Sequence, residues 1–193
     1  MMRIFPITIF AYSKGLDRSE RYELICQASS LTHAHPIAKF SCIFFDELLH
    51  EILTGQSVRD AFAKAQGVRY ENYLPEANWQ EALKTHSRIL SPDFASIKPE
   101  EINSSGYVVD TLEIAIYSLL HSSFYAETIQ TTVKFGYDTD TYATIAGAAA
   151  GAIYGVKEIP RKLAERTKET RIPGRRSQQI RRSHFLTPSN ACA

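Results

Sequence analysis

Gly136-Tyr137-Asp138-Thr139-Asp140-Thr141 runs directly into Tyr142-Ala143-Thr144-Ile145-Ala146-Gly147-Ala148-Ala149-Ala150-Gly151-Ala152-Ile153-Tyr154-Gly155. The second part is almost purely small and apolar, and it reads as a helix. Ala143, Gly147, Gly151 and Gly155 recur every four residues, which places them on one side-chain-poor stripe. Each interior glycine costs a helix about 1 kcal/mol, so repetition implies a gain, namely close approach of a second helix. The helix is therefore expected to be central and to hold the acidic turn at a fixed depth. In that turn Asp138 and Asp140 can converge if the backbone is extended, with Thr139 and Thr141 adding hydroxyl oxygens. Close carboxylates repel unless a proton or a cation intervenes. Hard oxygen donors of this kind suit Mg²⁺, which takes one or two carboxylates and completes its shell with water and substrate. The competing reading is helix capping, because Asp and Thr commonly satisfy free N–H groups at a helix start.

Working outward, the preceding segments also read as helices. Ser105-Gly106-Tyr107 leads into Val108–Leu120, and a shorter helix covers Phe124 to Lys134. Gly106 lets backbone approach a ligand, and Tyr107 either stacks on a base or packs. Further upstream, Thr32-His33-Ala34-His35-Pro36 opens a helix carrying Ile37, Phe40, Ile43, Phe44, Leu48 and Ile52, and Gly55 stops it. In an extended corner His33 and His35 face one side. They could bind a metal, orient a ligand hydroxyl or phosphate, or cap helix ends. Asp17-Arg18-Ser19-Glu20 has the form of a capping box for one more helix. Ser57 to Gln66 and the stretch around Trp79 add two others, and Leu90 to Ser105 reads as a loop. The first dozen residues are core-like and carry the only strand signal. The fold class read here is all-α.

Composition sets limits. Of 193 residues, 44% are hydrophobic and 22% charged, enough for one domain with a core. The uncharged run Tyr142 to Val156 is shorter than the ~20 residues of a membrane span, so no membrane partner is expected. Met1-Met2-Arg3-Ile4-Phe5-Pro6 does not have the form of a secretion signal. Cys26, Cys42 and Cys192 form no CxxC pair, which suggests a reducing, cytoplasmic setting without a zinc site. From Pro160 onward nine Lys/Arg stand against two Glu, whereas the body has 13 basic and 19 acidic residues, a net −6. An acidic body fits a cation pocket. The basic tail, 161–193, is expected to be flexible, and nucleic-acid binding by it is not expected. The expected domains are thus 1–160 and 161–193.

Four stretches together resemble the ADP-ribosylglycohydrolase family. Met2-Arg3-Ile4-Phe5-Pro6 resembles the end of its glycine-rich GNGSxMR segment, and Thr32-His33-Ala34-His35-Pro36 its THxHP corner. Ser105-Gly106-Tyr107-Val108-Val109-Asp110-Thr111-Leu112 resembles its SGYVVDTL segment, and Gly136 to Gly155 its GGDTDT motif and glycine-striped helix. The resemblance implies an orthogonal all-α bundle with a two-Mg²⁺ centre. It implies hydrolysis of the glycosidic bond between ADP-ribose and an acceptor side chain such as arginine or serine. Asp138, Asp140 and Thr141 would be Mg²⁺ ligands, His33 or His35 would contact the ADP-ribose, and Gly106 and Tyr107 would line the nucleotide side. The resemblance assigns no catalytic residue within this chain.

The sequence departs from the family pattern in two ways. Tyr137 replaces the second glycine of GGDTDT. The family's first metal segment, with Thr-Asp-Asp ligands and the catalytic acid, precedes the glycine-rich segment, and this chain begins after it. The expectation is a carboxy-terminal portion of the fold with part of a metal cage. Such a chain would be impaired alone and complemented in trans by the missing segment, or it would be a non-catalytic remnant that binds ADP-ribose or a protein.

Overall fold

The computed structural model describes residues 1–74 and 79–169, with side chains through Glu165. The chain divides between Pro160 and Arg161. The second unit is described only as one helix, Arg161–Glu169. Cys192 and the tail arginines from Arg171 onward lie outside the described residues, and with them most of the expected flexible tail.

Among the described residues every regular element is helical, as the sequence pattern predicts. The first helix, α1 (Ile4–Lys14), covers the stretch with the strand-like signal. Ile4, Thr8 and Ala11 are its buried positions, a helical spacing that puts one stripe on the core. Gly15 closes α1 at φ 65°, in the left-handed region that favours glycine. The capping box is present at α2 (Arg18–Ser30). The Asp17 carboxylate accepts from the Glu20 N–H, and Glu20 accepts from the Asp17 N–H, each at 2.9 Å. Next come α3 (Pro36–Leu53) and α4 (Val58–Gln66), the latter capped by the Ser57 hydroxyl. Two short helices, α5 (Trp79–Thr85) and α6 (Ser87–Leu90), precede a connector with two 3₁₀ turns, Pro92–Ser96 and Pro99–Glu101. Then follow α7 (Val108–Leu120), α8 (Tyr125–Val133) and α9 (Thr139–Tyr154).

Helix α3 is the hub. It packs against α1, α2, α4, α5, α7 and α9. Its Phe40, Phe44, Phe45, Leu48 and Leu49 are buried, and Tyr70, Phe62 and Phe94 join them in an aromatic core. Burying side chains of this size stabilises the fold by about 1.5–3 kcal/mol each. Trp79 is core as well. Helix α7 is buried along nearly its whole length and carries α9 on one side.

Among the described residues the buried charged side chains of this core have partners, whereas the Tyr22 hydroxyl, His50 Nδ1 and the Ser122 hydroxyl are buried without one. Arg21 of α2 donates to Asp46 and, at 2.5 Å, to Glu47, both on α3. Arg18 adds a bidentate contact to Glu47, and Thr8 of α1 donates to Asp46 at 2.6 Å. The network therefore ties three helices together by charge-assisted bonds. Burial pushes the Asp46 carboxyl up to about 6, against the pull of Arg21 and Thr8. Burial would also raise Glu47, but the bonds from Arg18 and the charge of Arg21 hold it below its ordinary value. His86 is enclosed and pushed down to about 4 by burial. As a neutral ring it donates from Nδ1 to the Ala82 carbonyl at 2.7 Å, so Nε2 accepts from the Ser41 hydroxyl at 2.8 Å. Arg88 clamps buried Glu113 and also donates to the Glu101 carbonyl at 2.7 Å, pinning the 3₁₀ connector to α7.

The structure corrects the reading of the glycine stripe on α9. Only Gly147 meets a second helix closely: a Cβ there would stand 3.1 Å from Ile129 Cδ1 and 3.3 Å from the Tyr125 hydroxyl, both on α8. A Cβ on Gly151 would meet nothing within 4 Å. Gly155 is not in the helix but terminates it at φ 81°. Of these glycines only Gly147 is tight against α8, while Ala146, Ala149 and Ala150 of the same helix are fully buried.

Candidate active site

The start of α9 is built by its neighbours. The Tyr142 ring is fully buried between α7 and α9, and its hydroxyl donates to the Ser105 carbonyl at 2.6 Å. The Ser105 hydroxyl donates to Asp110 at 2.5 Å and accepts from the Tyr107 N–H at 3.0 Å. The Ser104 hydroxyl donates to the Phe135 carbonyl at 2.7 Å. These bonds fasten the loop before α7 to the loop before α9. Gly106 consequently faces Asp138: a Cβ on Gly106 would stand 3.9 Å from Asp138 Oδ2 and 3.9 Å from Tyr137 Cε1. That is ordinary van der Waals distance, so the fold itself tolerates a methyl group at this position.

Asp138 occupies the N-cap position of α9, yet its side chain makes no capping hydrogen bond. The capping reading therefore does not explain this carboxylate. Neither Asp138, Asp140 nor the Thr141 hydroxyl has a side-chain hydrogen bond or ion pair among the described residues. Asp138 and Thr141 line a cleft of about 610 Å³. Asp140 is exposed on the same turn and does not line it. Tyr137, between Gly136 and Asp138, holds φ 55°. A bulky residue in that left-handed region costs about 1 kcal/mol.

The opposite wall is the histidine corner. His33 and His35 are exposed to the cleft they line, together with Arg3, Ser29, Thr32 and Cys42. His35 is the N-cap of α3, accepting from the Ile37 N–H on Nδ1 at 3.3 Å. A neutral His35 thus carries its proton on Nε2. The Thr32 hydroxyl accepts from Arg3 at 2.8 Å and lies 2.9 Å from His33 Nδ1. With the hydroxyl proton given to Nδ1, His33 too presents Nε2–H as a donor. Gly106, Tyr107, Val108 and Thr111 complete the cleft between the two walls. The cleft thus gathers six of the seven residues singled out in the sequence, from three segments far apart in the chain.

A family model for ADP-ribosylglycohydrolase matches residues 1–187. The chain belongs to the ADP-ribosylglycohydrolase family. It is 29% identical to the ADP-ribosylarginine hydrolase Tri1 of Serratia proteamaculans, covering 83% of this chain and 40% of that protein. It is 31% identical to human ADP-ribosylhydrolase ARH3, covering 82% of this chain and 50% of that protein. A third relative, the ADP-ribosyl-[dinitrogen reductase] glycohydrolase of Rhodospirillum rubrum, is 25% identical over 67% of this chain and 37% of its own length. The chain thus spans half or less of the length of these ADP-ribosylglycohydrolase relatives.

The magnesium ions that the family implies can be tested against the donors present. Asp138 and Thr141 offer a carboxylate and a hydroxyl without competing partners, which fits one side of a Mg²⁺ shell. Among the described residues no three His, Cys, Asp or Glu side chains come together as a metal site. The donors fit in kind, and the described residues provide part of a set.

Two residues of the cleft were passed over in the sequence. Arg3 was read only as part of a motif, yet it is the one guanidinium lining the cleft among the described residues. Cys42 lies buried in the same wall, with its thiol 3.8 Å from the Ser29 hydroxyl. No periodic or spacing signal marks either one. Among the described residues Cys26 and Cys42 are free thiols, and no helix is long and apolar enough to cross a membrane.

Proposed function

We propose that this chain forms one side of an ADP-ribosyl hydrolase site, with the cleft receiving ADP-ribose. The observation that carries the reading is the convergence of Asp138 and Thr141, Gly106 and Tyr107, and His33 and His35 on one cleft. The reaction breaks the bond from the anomeric carbon of ribose to an acceptor heteroatom such as that of arginine or serine. Water supplies hydroxyl to the carbon and a proton to the acceptor. The Nε2–H donors of His33 and His35 and the Arg3 guanidinium suit the anionic diphosphate. The bare backbone of Gly106 and the Tyr107 ring suit the nucleoside. Asp138 and Thr141, with Asp140 on the same turn, would hold Mg²⁺. Bound there, the cation would orient ribose hydroxyls and neutralise developing charge.

The partial donor set favours a second reading beside the first. On its own the chain binds ADP-ribose, or an ADP-ribosylated protein, and turns over little or none, the remaining ligands coming from a segment supplied in trans. Calorimetric titration with Mg²⁺ and ADP-ribose, separately and together, tests the common ground. ADP-ribose is expected to bind, and more tightly with Mg²⁺ present. Absence of binding under both conditions would discard both readings. Release of ADP-ribose from a modified protein by this chain alone would discard the second.

A further inference from the structure

Helix α1 is turned inside out. Its mid-helix polar residue, Thr8, faces the core and bonds Asp46, while apolar side chains face outward. Pro6, Ile9 and Phe10 lie on the face away from Ile4, Thr8 and Ala11, and Met2 prolongs that face just before the helix begins. Met2 is 52% and Phe10 51% exposed, Pro6 is exposed and Ile9 half-buried. A helix apolar on every side is ordinarily covered on every side. Here the main packing partners are α2 and α3, both on the inner side. The charges are as one-sided as the packing. Arg3 stands at one end of α1 and Lys14 at the other, its ammonium 5.8 Å from the centre of the Phe10 ring. No Asp or Glu occurs among residues 1–16. The outer face is thus an apolar strip with a cation at each end. It runs up to the cleft, which Met2 and Arg3 line.

We infer that this outer face docks the segment supplied in trans, and that the segment is an amphipathic helix, apolar along one side and acidic at its margins. The inference rests on the second reading above. The chain matches 40% of Tri1 and 50% of ARH3, so those relatives carry further chain that could cover such a face. An apolar strip between two cations calls for an apolar strip between acids. A second copy of this chain fits poorly. Antiparallel α1 helices would set Lys14 against Arg3, and parallel ones would set each cation against its own kind. A lipid surface fits poorly too, because polybasic attachment uses clusters of about 4–8 cations. Since the face ends at Met2 and Arg3, its occupant adjoins the cleft that holds the partial donor set of Asp138 and Thr141.

The test titrates the full chain with three synthetic peptides of one length. One has a leucine stripe flanked by glutamates, one the same stripe flanked by lysines, and one the residues of the first in scrambled order. The glutamate peptide is expected to bind, and the other two at least tenfold more weakly. Phe10→Gln should weaken the glutamate peptide about tenfold by removing the ring from the contact, with an unchanged Tm. Lys14→Glu should weaken it about fivefold and strengthen the lysine peptide, both effects shrinking in high salt. No peptide binding, or equal binding of the ordered and scrambled peptides, overturns the inference. So does a fall in Tm of several degrees in Phe10→Gln, which would assign the ring to the fold. A dimer in sedimentation that Phe10→Gln dissociates gives the face to a second copy and overturns it. Co-sedimentation with phosphatidylserine vesicles that Phe10→Gln abolishes gives the face to a membrane and overturns it as well. In each of these cases ADP-ribose binding by the wild type leaves the proposed function standing. A wild type that does not bind ADP-ribose removes the inference together with the reading beneath it.

Discussion

Asp46 and Asp138 are the same side chain in opposite circumstances. Asp46 is fully buried on α3, with a guanidinium on one oxygen and a hydroxyl on the other. Asp138 is half-buried at the start of α9, and its carboxylate has no partner among the described residues. A buried charge left unpaired is expensive, so the interior satisfies each one within the fold. A partly wet carboxylate can remain unpaired at little cost and so stays available to a ligand. The difference separates a residue that holds the molecule together from one whose carboxylate the fold leaves unpartnered.

Breaking the interior network should have the largest effect. Arg21→Met would leave Asp46 with the Thr8 hydroxyl but no ion-pair partner, and Glu47 with the half-exposed Arg18 as its remaining ion-pair partner among the described residues. A loss of about 3–5 kcal/mol is expected, because a buried charge remains without its counterion. That is a large share of a typical stability, so the urea midpoint should collapse. If the midpoint moves by less than 1 kcal/mol equivalent, the network is not what binds α1, α2 and α3.

The same contrast recurs, at smaller scale, between two glycines of α9. Gly151→Ala adds a methyl group to open space and removes a flexible residue from a helix interior. It should stabilise by about 1 kcal/mol. Gly147→Ala pushes the methyl group against Ile129 and Tyr125, so the helix gain is offset by repacking. Thermal melts of the two variants should therefore diverge, with Gly151→Ala the higher. Equal shifts would mean that α8 yields freely to α9.

How much of this was readable beforehand follows from what a linear pattern encodes. Helices α2, α3 and α4 announced themselves through Asp17 and Glu20, Pro36 and Ser57, residues whose local chemistry sets a boundary. Helix α1 did not, because Ile4-Phe5-Pro6-Ile7-Thr8-Ile9 is apolar on every side and hides its period. The stripe on α9 was visible, but its meaning was not. Spacing places Gly147 and Gly151 on one face, and only the position of α8 decides which one is in contact. The site was legible as separate motifs. That Asp138 and Thr141 turn toward the histidine corner while Asp140 turns away depends on the bonds from Tyr142 and Ser104 to the neighbouring loop.

The smallest expected effect on stability is also the sharpest test of the contrast. Asp138→Ala removes a carboxylate that caps nothing, so the fold should lose at most about 0.5 kcal/mol, the helix-dipole contribution of one exposed charge. On the proposed function, that unpartnered carboxylate serves the cation. Any rise in Tm that Mg²⁺ gives the wild type should therefore vanish in Asp138→Ala and weaken in Asp140→Ala, whose side chain lies off the cleft. The comparison with Arg21→Met makes the outcome decisive, because one variant loses the fold without touching the cleft and the other loses the ligand without touching the fold. A Mg²⁺ response that survives in Asp138→Ala would place the cation elsewhere. A melting temperature that drops by several degrees without Mg²⁺ would return Asp138 to the structural class to which Asp46 belongs.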